Sequence, residues 1–359
     1  MYVTFNIIRK SHRAPYVARY TLEIDPSATI LDCLNRIKWE QDGSLAFRKN
    51  CRNTICGSCG MKINGRSALA CKESVGGELS RLAADGPPEH SPEHITQSQP
   101  CGSTADAPVM TIAPMGNMPV IKDLVVDMQS FWDNLEAVNP YVSAQARQLP
   151  QGQPLGEFLQ APDERDRLNQ AGNCILCGAC YSECNAREAN PDFVGPHALA
   201  KAQRLLADSR DDQTEARQQR YGDGINGNIT SGIWGCTRCY YCNTVCPMDV
   251  APMDRIGEIK QGILQRQTAD ASRPVRHRKA MVELVKRGGW VDERQFGVMV
   301  VGNYLRDLQG LASLGPLGLR MLMRGKLPWR FEPSEGVAQV RSLIEAVQEH
   351  NAAAPVFEK

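Results

Sequence analysis

The sequence contains no apolar run approaching the ~18 residues that a membrane-spanning helix needs. Neither sign of charge dominates. Lys plus Arg number 41 against 40 Asp plus Glu, a formal net charge of +1, so no global basic field argues for nucleic acid. There is no G-x-G-x-x-G after a strand, no Walker A loop and no G-x-S-x-G elbow, which speaks against a self-sufficient enzyme with its own nucleotide site or activated serine. The start does not read as a signal or transit peptide, because polar residues alternate with apolar ones from Val3 onward, and the expectation is a chain that is not exported.

Against these absences stand fourteen cysteines in 359 residues. In a short secreted chain such density implies a disulfide framework, but this chain is longer and carries no export signal. Reduced cysteines at this density point to metal, and their spacing decides which.

The length suggests about two domains, or two plus an extension, on a prior of ~150 residues each. Val3, Phe5 and Ile7 alternate with polar residues, as do Tyr16, Ala18, Tyr20, Leu22 and Ile24; period two predicts two half-buried strands forming a hairpin. Residues 28–39 change to helical spacing, and Asn64-Gly65 is a type I′ turn signal between two further strands. Residues 85–109 are rich in Pro, Ser, Glu, Gln and Thr and predict a solvated inserted loop before a last strand, Met110–Ala113. After Pro119 the pattern predicts helices over 121–137, 196–207 and 252–266, with a charged surface turn or helix at 208–223. This divides the chain into an α+β domain at 1–115, an α-helical domain at 116–267 and a mostly helical extension at 268–359.

The first cysteine constellation is Cys51-x4-Cys56-x2-Cys59-x11-Cys71. C-x4-C-x2-C with a distant fourth cysteine is the plant-type [2Fe–2S] pattern. Three thiolates on one loop and a fourth from a neighbouring strand surround a two-iron rhomb, while Gly57 and Gly60 let backbone N–H groups approach the sulfurs. Zinc favours two separated C-x2–4-C knuckles and fits this spacing poorly.

Two further runs form a pair: Cys174-x2-Cys177-x2-Cys180-x3-Cys184, and about sixty residues on, Cys236-x2-Cys239-x2-Cys242-x3-Cys246-Pro247. In this bacterial-ferredoxin run the fourth cysteine ligates the other cluster. The rule assigns Cys174, Cys177, Cys180 and Cys246 to a central [4Fe–4S] cluster. Cys184, Cys236, Cys239 and Cys242 go to a distal one, [4Fe–4S] if Cys239 is a ligand and [3Fe–4S] if it is a bystander. The expected fold is therefore an N-terminal β-grasp ferredoxin domain followed by an all-α bacterial-ferredoxin-like domain with two cubane sites.

None of the six histidines (His12, His90, His94, His197, His277, His350) lies inside these loops, which argues against Rieske-type ligation. His90, His94 and Cys101 share the inserted loop, where a polar surface loop is a more economical reading than a zinc site. Cys33 sits among Leu and Ile on the first helix and reads as a small buried hydrophobe.

CRNTICGSCGMKINGRSALAC, MPVIKDLVVDM, CILCGACYSEC and CNTVCPMDVAPMDRIGEIK, in this order over residues 1–265, resemble the iron–sulfur subunit of succinate dehydrogenase and fumarate reductase. The resemblance implies no catalytic residue on this chain. It implies an electron relay between an FAD-containing flavoprotein subunit, where the dicarboxylate chemistry occurs, and a membrane quinone, through membrane anchor subunits. It also implies peripheral attachment at the cytoplasmic face of the cell membrane. The chain departs from the better-known members in three respects. The position of Cys239 is not a cysteine in them; Asn185, Glu188, Ala189 and Thr237 replace residues that help form their quinone pocket; and residues 311–330 form a basic, Leu/Met-rich tail. That tail is similar to those of thiol-dependent fumarate reductase and heterodisulfide-reductase electron subunits. A CCG-type thiol-linked partner is therefore the alternative to a quinone anchor, although no CCG repeat follows Cys246. The tail suits an anionic membrane, a partner subunit or simple packing on its own domain. An iron–sulfur sensor would need a recognition helix or effector loop, and neither is evident.

Overall fold

The computed structural model describes residues 1–10, 14–85, 107–144, 158–225, 227–268, 272–326, 330–353 and 356–357. Residues 1–257 and 258–359 form two compact units.

In the first unit, β1 (Tyr2–Lys10) buries Val3, Phe5 and Ile7 completely and pairs antiparallel with β2 (Pro15–Glu23), Val3 opposite Leu22. The alternation thus gives the expected strand pair. Thr29 caps α1 (Ile30–Arg36) in a reciprocal box with Asp32. The helix expected over 28–39 ends differently: Ile37–Gln41 forms a wide π turn closed by Asp42 N–H on the Ile37 carbonyl. Strands β3 (Gly60–Ile63) and β4 (Arg66–Leu69) meet through Asn64 and Gly65, both at positive φ (48° and 81°), the turn their sequence predicts. α2 (Val75–Asp85) is an element the sequence pattern did not announce. β5 (Val109–Ala113) then enters between β1 and β3, parallel to one and antiparallel to the other, giving the order β2-β1-β5-β3-β4. Residues 86–106 of the inserted loop, with His90, His94 and Cys101, lie outside the described residues, as does His12.

The helix expected over 121–137 is corrected. Residues 120–126 form a small hairpin, β6 (Val120–Lys122) and β7 (Val125–Val126), and only then does α3 (Gln129–Glu136) begin. Asp123 causes this. It is buried with φ 48°, and its carboxylate accepts from Arg9 Nη2 at 3.0 Å, Lys10 N–H at 3.3 Å and Ala46 N–H at 3.0 Å. Three donors on one buried carboxylate outweigh a local helical preference. This hairpin is the exception to an all-α second segment.

Helices α4 (Pro162–Gly172), α5 (Ala179–Ser182), α6 (Asn185–Ala189), α7 (Pro196–Leu206), α8 (Thr214–Asp223), α9 (Tyr241–Thr244) and α10 (Pro252–Arg266) follow. α7 buries Leu199, Leu205 and Leu206 as its period predicts, and also His197, whose ring stacks on Phe131 with centroids 3.9 Å apart. The segment 208–223 is not the surface feature its charge suggests. Asp208, Asp211 and Arg217 are buried, and Arg217 pairs with Asp211 at 2.9 Å while donating to the carbonyls of Val138, Asn139 and Tyr141. That pairing fastens α8 to the chain leaving α3.

The second unit includes α11 (Arg273–Gly288), α12 (Glu293–Val300), α13 (Leu308–Ser313), α14 (Gly315–Met323) and α15 (Val337–Ala353). Its core is small: Ala280 and Leu284 of α11 pack with Met299 and Val300 of α12. Among the described residues no helix is long and apolar enough to cross a membrane.

Candidate metal centres

The loop 51–59 owes its shape to three residues in the left-handed region: Arg52 (φ 58°), Thr54 (φ 58°) and Gly57 (φ 71°). The turns aim amides at sulfur. Asn53 N–H lies 3.3 Å from Cys51 Sγ, Cys51 N–H 3.5 Å from Cys56 Sγ, and Thr54 N–H 3.3 Å from the sulfur of Cys71, which arrives from beyond β4. Ser58 holds the Cys56 thiol down at about 6, whereas burial pushes Cys59 up to about 12, reinforced by Cys71 and Cys56 beside it.

The other two runs share one backbone design. Leu176 (φ 55°) and Gly178 (φ 82°) in the first run correspond to Arg238 (φ 62°) and Tyr240 (φ 63°) in the second. A non-glycine residue there costs roughly 1–2 kcal/mol, so the turn geometry is imposed against local preference at Leu176, Arg238 and Tyr240. Each turn feeds a one-turn helix, α5 or α9, after which the fourth cysteine leaves for the neighbouring group.

Burial and neighbouring thiols act together on the buried members of these two runs. Burial pushes Cys177 up to about 11, with Cys174 and Cys246 adding to the rise. Cys180 is driven well above its ordinary range by burial, then by Cys177 and Cys174, with Cys242 and Cys246 further contributors. Burial likewise raises Cys184 to about 11 and Cys242 to about 12; Cys236 and Cys239 act on both. Cys174, Cys177, Cys180 and Cys246 line one internal cavity, whose walls include Ile175 and Val250, and Val250 N–H reaches Cys246 Sγ at 3.3 Å. In the remaining group Cys184 and Cys242 are buried while Cys239 is exposed. Every described cysteine is a free thiol.

A set of crowded, largely desolvated thiols fits iron–sulfur ligation; His197, which also lines the cavity, has its Nε2 2.9 Å from the Phe131 carbonyl oxygen. Binding a cationic cluster relieves the repulsion that the ionised sulfurs would otherwise suffer. Among the described residues, no three His, Cys, Asp or Glu side chains close around a single ion.

The three groups are contiguous. A Cβ on Gly57 would lie 2.8 Å from the Cα of Cys177, and one on Gly60 would lie 3.2 Å from its carbonyl oxygen, so the loop 51–59 rests directly on the run that begins at Cys174. A polar seam holds this junction. Glu183, one residue before Cys184, accepts from Ser67 N–H (3.0 Å), has Ser67 Oγ at 2.6 Å, and pairs with Lys62 at 3.3 Å. Ser182 Oγ lies 2.7 Å from Ser67 Oγ and accepts from Gly116 N–H at 2.7 Å.

Asn117, itself at φ 58°, donates to the carbonyls of Tyr181 (2.9 Å), Ser182 (3.2 Å) and Cys184 (3.1 Å). Sequence reasoning missed Asn117, Ser67 and Glu183; only the adjacency of Glu183 to a cysteine run was available as a signal. Replacing Asn117 by alanine strips a donor from three carbonyls around the Cys180–Cys184 turn. The expected loss is about 1–3 kcal/mol, read as a lower denaturant midpoint of the holoprotein at unchanged slope.

Residues 4–133 match the family model for a 2Fe-2S iron-sulfur cluster binding domain, and residues 170–250 match that for a 4Fe-4S dicluster domain. The fumarate reductase iron-sulfur subunit of Escherichia coli O157:H7 is 34% identical over 247 residues, spanning 69% of this chain and 86% of the relative. The chain belongs to the fumarate reductase/succinate dehydrogenase iron–sulfur subunit family. The namesake subunit of Mycobacterium tuberculosis (strain CDC 1551 / Oshkosh) is also 34% identical over 247 residues, covering 69% of this chain and 85% of the relative. That of Haemophilus influenzae is 32% identical over 253 residues, covering 68% and 86%. A chain of the solved Mycobacterium smegmatis Sdh1 complex in the apo form shares the fold, with a TM-score of 0.57 and 24% identity over 74% of this chain and 97% of that one.

Both iron–sulfur domain types of this family are thus present, in the order its electron-transfer role requires. Asn185, Glu188, Ala189 and Thr237 are all exposed. The tail 311–330 lies beyond the residues matched by either family model.

Proposed function

We propose that this chain is the electron-transfer subunit of a succinate:quinone oxidoreductase-type complex. It relays electrons between an FAD-containing flavoprotein subunit and a membrane quinone pool, from the cytoplasmic face of the membrane. Cys51, Cys56, Cys59 and Cys71 hold a [2Fe–2S] cluster. Cys174, Cys177, Cys180 and Cys246 hold a central [4Fe–4S] cluster, and Cys184, Cys236, Cys239 and Cys242 hold a distal [4Fe–4S] cluster.

The observation that carries the reading is contiguity: Gly57 packs on Cys177, and α5, which carries Cys180, packs on α9, which carries Cys242, so the three thiol groups follow one another without a break. When bound, the clusters supply one-electron carriers; the protein contributes their order, their shielding and their amide environment. Exposed Cys239, flanked by exposed Tyr240 and Tyr241, supports the distal group as the end where a partner meets the relay.

Anaerobic purification should bring down an FAD-containing subunit, and succinate should reduce the clusters as seen by EPR. No flavoprotein and no succinate-dependent signal would defeat the proposal. The departures at Asn185 and Thr237 favour a second reading, a relay to a thiol or disulfide partner. Turnover of the purified complex with a disulfide but not with a quinone analogue would establish it instead.

Because Cys239 is the exposed member of its group, Cys239→Ser should leave the fold and the other two clusters intact. It should convert the distal EPR signature to that of [3Fe–4S]. An unchanged [4Fe–4S] signal would make Cys239 a bystander.

A further inference from the structure

The second unit carries a surface that the relay does not use. Tyr304, Leu305, Leu308, Leu317, Leu319, Leu322 and Met323 are all exposed, with Leu308 at 72%, Leu319 at 59% and Met323 at 79% accessible. α14 buries no residue at all. From Leu308 to Phe331 the chain has Arg320, Arg324, Lys326 and Arg330 and not one Asp or Glu. All four bases are exposed, and none is paired with a carboxylate among the described residues.

The helical period separates these residues into arcs. Leu314, Gly318 and Met321 are partly buried and face their own unit; Leu314 reaches the backbone of α12, where a Cβ on Gly297 would meet its Cδ1 at 3.4 Å. Leu319 and Met323 lie on the opposite, exposed arc, and exposed Leu322 flanks it. Arg320 and Arg324, four residues apart, sit on its margin. A short helix with an aliphatic outer arc and bases at its edge is built to lie in a headgroup plane, leucines toward the acyl chains and guanidinium groups at the phosphates. The outer arc of α14 itself is Leu and Met and carries no Trp or Tyr of the kind that anchors a protein-docking patch.

We infer that α13 and α14 form an in-plane anchor that docks this subunit on an anionic phospholipid surface. The inference rests on the reading that the relay serves a membrane quinone pool, and it adds a direct lipid contact made by this chain.

The full-length holoprotein, purified anaerobically, is tested by flotation with two kinds of vesicle: phosphatidylcholine alone, and phosphatidylcholine mixed with phosphatidylglycerol. It should float with the anionic vesicles, far less with the neutral ones, and high salt should release it. Arg320→Gln with Arg324→Gln should weaken anionic binding by roughly fivefold per charge. Leu319→Glu with Leu322→Glu should weaken it roughly 100-fold. Each pair is solvent-facing, so the cluster EPR of both variants should match that of the parent.

Equal affinity of parent and variants for anionic vesicles would overturn the inference. So would vesicle binding that is absent in the parent while the Leu variants lose a co-purifying subunit, which would make the face a protein interface. Succinate-dependent cluster reduction is read in parallel. Its failure with vesicle binding intact strikes the relay reading alone, and the reverse strikes the anchor alone.

Discussion

Cys180→Ser should erase the central cluster and cut the relay in two. Cys180 lines the internal cavity together with Cys174, Cys177 and Cys246, and its thiol is desolvated and surrounded by four other cysteines. A serine oxygen at that position holds its proton far more tightly than a thiol and is a hard donor where iron–sulfur chemistry calls for thiolate. Free energy of cluster binding is also folding energy, because no preformed site exists in the unfolded chain. The variant should therefore lose both iron and stability.

Succinate reduction through the flavoprotein should still produce the [2Fe–2S] signal, since that loop keeps its four thiols. Reduction of the distal cluster should fall by more than the roughly 10–100-fold that losing an outer-shell partner costs a metal site. The matched control is Cys33→Ser. Cys33 is buried in the β-domain core and burial pushes its thiol up to about 12, but no other cysteine contributes to that rise, so iron content should not change. A central-cluster signal that survives in Cys180→Ser would remove Cys180 from the ligand set.

The features legible in the sequence were those set by short-range geometry. Thiols three and four residues apart can meet one cluster only through tight turns, so spacing alone groups Cys174, Cys177 and Cys180, and Cys236, Cys239 and Cys242; the structure places the first three around one cavity with Cys246. Alternation in β1 and the Asn64-Gly65 turn were legible for the same reason. What escaped depends on partners far away in the chain. Residues 120–126 read as helix because nothing local reveals that Asp123 will bind Arg9 and Ala46. The charges of 208–223 read as surface because the pairing of Asp211 with Arg217, and of Arg217 with three carbonyls behind α3, leaves no periodic trace. α2 was obscured by Gly76-Gly77 in its first turn, poor helix formers that are tolerated where Glu78 is buried between Arg66 (2.6 Å) and Arg81 (2.8 Å).

Gly57→Val tests the junction between the first and second cysteine groups. Gly57 has φ 71°, a conformation that costs an L-residue roughly 1–2 kcal/mol, and more for a β-branched one. The added Cβ alone would stand 2.8 Å from the Cα of Cys177 and 3.2 Å from its amide nitrogen. Those are backbone atoms and cannot rotate away, so the loop and the run that begins at Cys174 must separate, adding roughly 1–3 kcal/mol of overpacking.

Relief by separation works against the seam of Glu183, Ser182 and Ser67, which ties β4 to the end of the run that begins at Cys174. Strain therefore falls on the loop that carries Cys56 and Cys59. The expected result is a holoprotein destabilised by roughly 2–5 kcal/mol, with an altered [2Fe–2S] spectrum and slower electron transfer from that cluster to the central one in flash or freeze-quench kinetics. Gly60→Ala, where the nearest atoms include the flexible tip of Met115 at 3.1 Å, should be milder on both counts. Wild-type transfer kinetics in Gly57→Val would mean that electrons do not cross at the Gly57–Cys177 contact.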